Sequence, residues 1–366
     1  MKYKYGGDYE CWDREYIANK PIYDELFARS MLKKYDGNTE SLEKAISEYT
    51  GRKYCVALSN ATDALHFSLL SHGIGPGDKV MVTNFSWISS ATCISFVGAE
   101  PIFCDIDIDS YHISFEEIKR LYTPDVKALI YTHLFGNMTD TTEIENFCKE
   151  NNIAFIEDAA QSLGSSLHGR KAGTIGDCSS YSFNSNKVIS GIAGGGMFMT
   201  DNEEQAVMVK KLRRHGKDKE FEILGRNSKM YVLNADVIEF RLTQMERWQK
   251  QRQKVAQIYE SLFDELPIKT QKMHDGLNHN YHKYTIKFKN KKTRNFIIDT
   301  VKERCGFNLS IHYEKPISHN KIYDIMSNYN AKKVCDTIVS LPINPWLTDD
   351  EINSLGSLIA LSVEGI

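Results

Sequence analysis

A handful of side chains fall where apolar runs of the sequence end, and their types suggest acid–base and anion-binding chemistry. Lys187, in "SFNSNKVISG", offers a primary amine in a polar stretch that closes on a glycine. The apolar run "IAFIED" ends in Glu157 and Asp158, and Gln161 lies three residues later. "SNATDALHF" sets Ser59, Asn60, Ala61 and Thr62 at a helix start, where unpaired N–H groups and the helix dipole favour an anion. Trp87, in "NFSWISSA", is a flat ring just past another strand end. Gly191, Gly194, Gly195 and Gly196 let the backbone approach a neighbour closely. Each has a plainer reading alone. Lys187 could be a solvated loop lysine and Asp158 a helix N-cap. Ser59 or Asn60 could simply cap, and Trp87 could be a core ring.

Together these residues supply an anion seat, an aromatic cover, a carboxylate and a primary amine. Pyridoxal phosphate requires that set. Its aldehyde needs a lysine, its phosphate needs N–H and hydroxyl donors, and its ring nitrogen needs a carboxylate.

The elements that must position them are legible as alternation. "KYCVALS", "DKVMVTN", "PIFCDID", "VKALIYTH" and "IAFIED" are short apolar runs separated by helical patterns over "ATDALHFSLLSHG", "SSATCISFVGA", 114–122 and 140–151. Such runs between helices predict a parallel sheet covered on both faces, with ligands at the carboxyl ends of its strands. After residue 182 the pattern changes. "SSYSF" and "GGMFMT" predict two short strands around a glycine-rich turn, then a helix at 202–214. A long helix over 243–266 carries the chain into a second domain, so the division expected is 1–245 and 246–366. There "YHKYTIKF" and "FNLSIHY" predict strands, 293–305 a helix, and the region from 348 a closing helix.

Composition sets limits. The 366 residues are 42% hydrophobic and 25% charged with a net charge of −3, which argues against a nucleic-acid or membrane-surface binder. The basic run "KKLRRHGKDK" reads as a solvated helix end. The eight cysteines, Cys11 among them, form no C-x-x-C pair and read as small buried hydrophobes in a reducing compartment. No apolar stretch approaches the roughly 20 residues of a membrane span, and the N-terminus has no apolar leader, so a cytoplasmic protein is expected.

Several motifs, in order, carry a resemblance: "SNATDALHFSLLSHGIGPGDKV", "NFSWISSA", "IEDAAQSLGS", "GTIGDCSSYSFNSNKVISGIAGGGMFMTD", "LRRHGK", "GRNSKM" and "IHYEKPISH". From about residue 20 to the C-terminus the chain resembles the DegT/StrS family of pyridoxal-phosphate-dependent sugar-nucleotide aminotransferases. The resemblance implies a fold type I transferase of the aspartate aminotransferase kind, with a large, mainly parallel α/β domain and a smaller C-terminal α+β domain. It makes Lys187 the lysine that bonds the cofactor aldehyde and Asp158 the partner of the pyridine nitrogen. Gln161 would bond the ring hydroxyl, and Trp87 would stack on the ring. Ser182 and the amides around Ala61 and Thr62 would hold the phosphate. Asn227, in "GRNSKM", would reach the phosphate of a second subunit, which implies a homodimer with shared sites. The sequence departs from the family at Ala61, where glycine is usual, and in "YVLNADVIEFRLTQME", which replaces an alanine-rich helix.

The activity implied is amino transfer from L-glutamate to a nucleotide-linked keto-deoxysugar. "NSKM" and "FCKENNIAFIEDAAQSLGS" are similar to members that form dTDP-4-amino-4,6-dideoxyglucose. A 3-keto substrate and a non-catalytic, cofactor-binding sensory homologue are the alternatives. Members that dehydrate instead have histidine in place of the lysine, and Lys187 argues against that course. For the sugar, the residues expected are Lys229 of "NSKM" facing the diphosphate, and His312 or Tyr313. The latter two would lie on opposite faces of a strand, with a core role for Tyr313 as the alternative.

Overall fold

The computed structural model describes residues 12–32, 39–326 and 329–365; Cys11 lies outside them. Two helices, α1 (Trp12–Leu32) and α2 (Glu40–Thr50), lead into an alternation of β1 (Tyr54–Leu58), α3 (Ala61–Ser71), β2 (Lys79–Thr83), α4 (Ser89–Phe96) and β3 (Glu100–Cys104). It continues through α5 (Phe115–Leu121), β4 (Val126–Thr132), α6 (Thr142–Glu150) and β5 (Ala154–Asp158). Two short strands, β6 (Ser166–Leu167) and β7 (Arg170–Lys171), precede β8 (Cys178–Ser182), β9 (Gly196–Thr200) and α7 (Glu203–Leu212).

The seven long strands form one sheet in the order β1-β9-β8-β5-β4-β2-β3. The pairs β8–β5, β5–β4, β4–β2 and β2–β3 are parallel, and only β9 runs against its neighbours. Four-residue runs such as Val80–Thr83 and Phe155–Asp158 are buried throughout, as strands covered on both faces must be. One apolar cluster joins α3 and α4 to the sheet through Leu65, Phe67, Ile94, Val82 and Ile130. On another, Tyr181, Phe183 and Met197 meet Ile238 and Trp248. The helix starts are chemically marked. Asn60, Ser114 and Asn202 each accept a bond from the backbone N–H three residues on.

The long helix read over 243–266 is present as one helix, Met245–Phe263, and a further helix not expected from the sequence precedes it. α8 (Val232–Thr243) ends at Gln244, and α9 (Met245–Phe263) begins there. Beyond it come β10 (Lys269–Thr270), β11 (Leu277–Asn278), β12 (Tyr284–Lys287), α10 (Lys291–Cys305), α11 (Asn330–Thr337), β13 (Ile338–Leu341) and α12 (Asp349–Glu364). A separate apolar cluster, with Tyr259, Ile286, Ile297, Val339 and Ile359, holds this part together. α12 opens with a capping box between Thr348 and Glu351.

One sequence expectation fails here. "FNLSIHY" is not a strand. Only Ser310 bridges, to Ser340 on β13, with N–O distances of 3.2 and 2.9 Å. Past Ser310 the chain leaves the sheet edge, because Tyr313 is taken up by Phe85, Phe135 and Gln161 instead. Among the described cysteines, Cys55, Cys93, Cys104, Cys148, Cys178 and Cys335 are buried free thiols and Cys305 is half-buried. No helix among the described residues is long and apolar enough to cross a membrane.

Candidate active site

A cavity of about 400 Å³ opens at the carboxyl ends of the parallel strands. Lys187, Asp158, Gln161 and Ser182 line it, as do Trp87 and the α3 start from Ser59 to Thr62.

Asp158 ends β5 and is 4% exposed. No helix follows it, so the capping alternative does not apply. Its Oδ2 accepts from Ser90 Oγ at 2.7 Å and Thr132 Oγ1 at 3.5 Å, and its Oδ1 accepts from the Ala160 amide at 3.2 Å. These donors fix a buried carboxylate at the deep end of the cavity. Gln161 is held at both ends: its Oε1 accepts from the Phe135 amide at 3.0 Å, and its Nε2 donates to Tyr313 Oη at 3.0 Å. Phe135 adopts φ 62°, an uncommon region for a non-glycine residue. Its amide bond to Gln161 and its stack on Tyr313, with ring centroids 5.9 Å apart, hold it there.

Lys187 is half-buried in the loop between β8 and β9, its amide donating to the Asn184 carbonyl at 2.9 Å. Burial lowers the amine's pKa to about 8, against a raising influence from Asp158 and a further lowering one from Lys283. Its amine makes no hydrogen bond among the described residues. An amine that is partly unprotonated near neutral pH can act as nucleophile and base.

The anion seat depends on Gly196. A Cβ there would lie 2.3 Å from the Asn60 carbonyl carbon and 2.5 Å from the Ala61 nitrogen, so only glycine lets β9 abut the start of α3. Asn60 does cap α3, accepting from the Asp63 amide at 2.7 Å, and this leaves the Ala61 and Thr62 amides at the cavity wall. Asn234 braces the glycine run, donating to the Gly194 carbonyl at 2.6 Å and accepting from the Ala193 amide at 3.1 Å. That residue lies in the segment where the chain departs from the family's usual helix.

Trp87 is 62% exposed at the rim, which rules out a core role. His312 and Tyr313 both line the cavity rather than opposing each other across a strand. Asn227 and Lys229 are exposed and do not line it, although Ser228 between them bonds Ser59 (amide to carbonyl, 2.9 Å) beside the α3 start. Ser90, Phe135, Asn186, His282, Lys283 and Asn234 belong to the site without any local signal, because they come from elements far apart in sequence.

The donor set fits pyridoxal phosphate: a glycine-kept seat of amides for a dianion, a buried carboxylate, a poised amine and a planar cover. Ser180 Oγ, on the strand position paired with Asp158, is buried with no hydrogen-bond partner among the described residues, so polar capacity remains beside that carboxylate.

Glu157, one residue earlier, faces the other way and is fully buried. It accepts from His133 Nε2 at 2.9 Å and from the amides of Gly173, Ile175 and Gly176 at 2.8, 2.6 and 2.8 Å. Burial pushes its pKa up, but the bond and charge of His133, the Gly176 amide and Arg52 together bring it below the ordinary value of 4.5. Its role is to fasten the 173–176 loop under the sheet. Glu157→Ala costs about 3–5 kcal/mol, the cost of breaking a buried charge network, read from urea unfolding. The stabilisation is complete above pH 4.5 and is lost as pH falls through the lowered pKa. A change below about 1 kcal/mol would remove that role.

The sequence pattern of the DegT/DnrJ/EryC1/StrS aminotransferase family matches residues 23–359. A protein of Geobacillus stearothermophilus named pleiotropic regulatory protein is 31% identical over 90% of each chain. GDP-perosamine synthase of Caulobacter vibrioides is 34% identical over 67% of each. UDP-2-acetamido-2-deoxy-3-oxo-D-glucuronate aminotransferase of Pseudomonas aeruginosa is 29% identical over 84% of this chain and 85% of its own. The crystal structure of a DegT DnrJ EryC1 StrS aminotransferase from Brucella abortus, 25% identical, superposes with a TM-score of 0.90 over 97% of this chain and 99% of that one.

Proposed function

The chain belongs to the DegT/DnrJ/EryC1/StrS aminotransferase family, and on that premise we propose that it moves an amino group from L-glutamate to a nucleotide-linked keto-deoxysugar in the cytoplasm, using pyridoxal phosphate. The observation that carries this reading is the convergence of Lys187, Asp158, Ser182 and the α3 amides on one cavity.

Bound there, the cofactor supplies a ring that takes up the electron pair left when a C–H bond beside the substrate nitrogen breaks. Lys187 Nζ would hold the cofactor through its aldehyde, and as a free amine it would accept and return the proton that moves during amino transfer. Asp158 holds a fixed negative charge against the protonated ring nitrogen. The Ala61 and Thr62 amides with Ser182 Oγ bind the phosphate. Gln161, fixed by Phe135 and Tyr313, orients the ring hydroxyl, and Trp87 excludes water from the exposed face.

For the sugar, we propose dTDP-4-dehydro-6-deoxyglucose, giving dTDP-4-amino-4,6-dideoxyglucose for a surface polysaccharide or glycan. The similarity of "NSKM" and the Gln161 segment to members of that type supports this. A 3-keto substrate is the second reading, favoured by the name of the Pseudomonas relative. His312 and Tyr313 would seat the sugar. Incubation with glutamate and a panel of dTDP-, UDP- and GDP-linked keto-sugars, with products read by mass and NMR, decides the matter. Turnover of the dTDP 4-ketone alone supports the first reading. Turnover of a 3-ketone alone replaces it, and no turnover at all favours a regulatory, non-catalytic protein like that suggested by the name of the Geobacillus relative.

Asn227 and Lys229 stand outside their own chain's cavity, so their roles toward phosphate and diphosphate require a second copy. Mixing inactive Lys187→Ala subunits with inactive Asn227→Ala subunits then restores about a quarter of native activity, because half the molecules are hybrids and each hybrid has one intact site. An active monomer by light scattering would refute the shared site.

A further inference from the structure

Lys187 stands in a loop closed at its base by the Gly191 amide, which donates to the Phe183 carbonyl at 2.8 Å. α8 grips the returning arm of that loop at two places. Asn234 holds Ala193 and Gly194. Two helical turns on, and so on the same face, Arg241 reaches Ser190, three residues beyond Lys187. Its Nη1 donates to the Ser190 carbonyl at 2.6 Å and to Ser190 Oγ at 3.1 Å. The direction of that Nη1 is set from α1. Arg241 Nε and Nη2 donate to Glu15 Oε1 and Oε2 at 2.8 and 2.9 Å, a fork that fixes the plane of the guanidinium. Tyr23 Oη donates to Glu15 Oε1 and accepts from Arg241 Nε at 3.1 Å. Glu15, Ser190 and Arg241 are all buried, and the first two line a chamber of about 50 Å³ that Lys187 also lines.

We propose that Arg241 is a positioning residue for Lys187 and that Glu15 aims it, so that α1 takes part in amino transfer by setting where the Lys187 amine stands. The proposal rests on the aminotransferase reading above. The plainer role, docking α1, has other means. Arg14 forks onto Glu351 at 3.0 and 2.7 Å, and Ser30 Oγ donates to Asp236 Oδ2 at 3.2 Å. Nor is stability a sufficient reason for the pair, since apolar residues of similar volume often replace a buried ion pair without loss. What a forked arginine adds is direction. Lys187 must reach one carbon and then others, and a misplacement of about 1 Å costs about 10²-fold in rate. Arg241 and Glu15 touch no reacting atom in this scheme.

The test follows modification of Lys187 by trace acetic anhydride against pH in cofactor-free protein, read by peptide mass analysis. The wild-type midpoint is expected near 8, chiefly through burial, with Asp158 raising it and Lys283 lowering it. His282, also lining the chamber, is held neutral by burial. Neither Glu15 nor Arg241 enters that balance by charge, so a changed midpoint reports a moved amine. Glu15→Leu combined with Arg241→Met removes both charges together and leaves no buried ion uncompensated. With Ser190 released, water reaches the amine and the midpoint rises by about one pH unit toward 10.5. Glu15→Gln keeps the shape but offers one acceptor in place of two. Its midpoint rises by about half a unit, and it serves alone if the double variant does not fold. In loaded enzyme, kcat for the sugar falls about tenfold with KM unchanged. Wild-type midpoints in both variants, whatever their melting temperatures, overturn the proposal and leave the pair a docking contact for α1. If wild-type protein transfers no amine to any sugar, the aminotransferase reading fails, while the midpoints still decide whether Glu15 and Arg241 place Lys187.

Discussion

Replacing Lys187 by alanine abolishes amino transfer, with a fall of at least about 10²–10⁴-fold, the range of a lost general acid–base group, compounded by loss of the covalent attachment. The protein itself is unharmed. The Lys187 amine is held at about 8 against an ordinary 10.5 chiefly by burial, so the folded state binds fewer protons than the unfolded one between those values. Stability linked to this amine therefore rises as pH climbs from about 8 to 10.5, and the full burial penalty is felt below pH 8. Removing the amine removes the penalty, so the cofactor-free Lys187→Ala protein melts no lower than wild type at pH 7 and its relative advantage disappears above pH 10.5. Calorimetry across that pH range and a single-turnover assay check both halves. Normal turnover in the variant would sink the assignment of Lys187, and a marked loss of stability at pH 7 would return it to the structural frame.

The second large effect is expected at Asp158. Asp158→Asn keeps the shape and can still accept from Ser90 Oγ and Thr132 Oγ1, at 2.7 and 3.5 Å in the wild type. It removes the negative charge, together with the 3.2 Å bond from the Ala160 amide, which an amide NH2 cannot accept. If that charge stabilises a protonated ring, kcat/KM falls by about 10²–10³-fold, the scale of losing one preorganised electrostatic partner of a transition state. Cofactor affinity falls with it, measured by titrating the cofactor-free variant with pyridoxal phosphate. A carboxylate that merely satisfied Ser90 and Thr132 would tolerate the amide with little change in rate. Near-normal kcat/KM therefore contradicts the role proposed here. The contrast with Glu157 sharpens the test. The two acids are adjacent in sequence, yet pleating sends one into the cavity and the other beneath the sheet. Loss of Glu157 is expected to appear as instability, and loss of Asp158 as inactivity.

The sequence by itself determined the strand–helix alternation and the side chains that could do chemistry. These are local properties. Apolar runs and glycine stops report burial over a few residues, and Asn60, Ser114 and Asn202 announce helix starts through their own side chains. Lys187, Asp158, Gln161 and Ser182 were likewise legible, because motif spacing ties each to a strand end that the structure brings to one cavity. The fate of "FNLSIHY" was not legible. A β-capable segment becomes a strand only where a free edge receives its N–H groups, and here Phe85, Phe135 and Gln161 claim Tyr313 before β13 can pair beyond Ser310. Nor could sequence distinguish a cap from a buried carboxylate at Asp158, since that turns on Ser90 and Thr132, 68 and 26 residues away. His282 and Asn186 enter the site through the packing of the C-terminal segment against the β8–β9 loop, and the burial of His282 Nδ1 and Asn186 Oδ1, with no donor among the described residues, exists only once that packing has excluded water. Desolvation is a property of the assembled interior, so only the tertiary structure could decide which polar groups became poised.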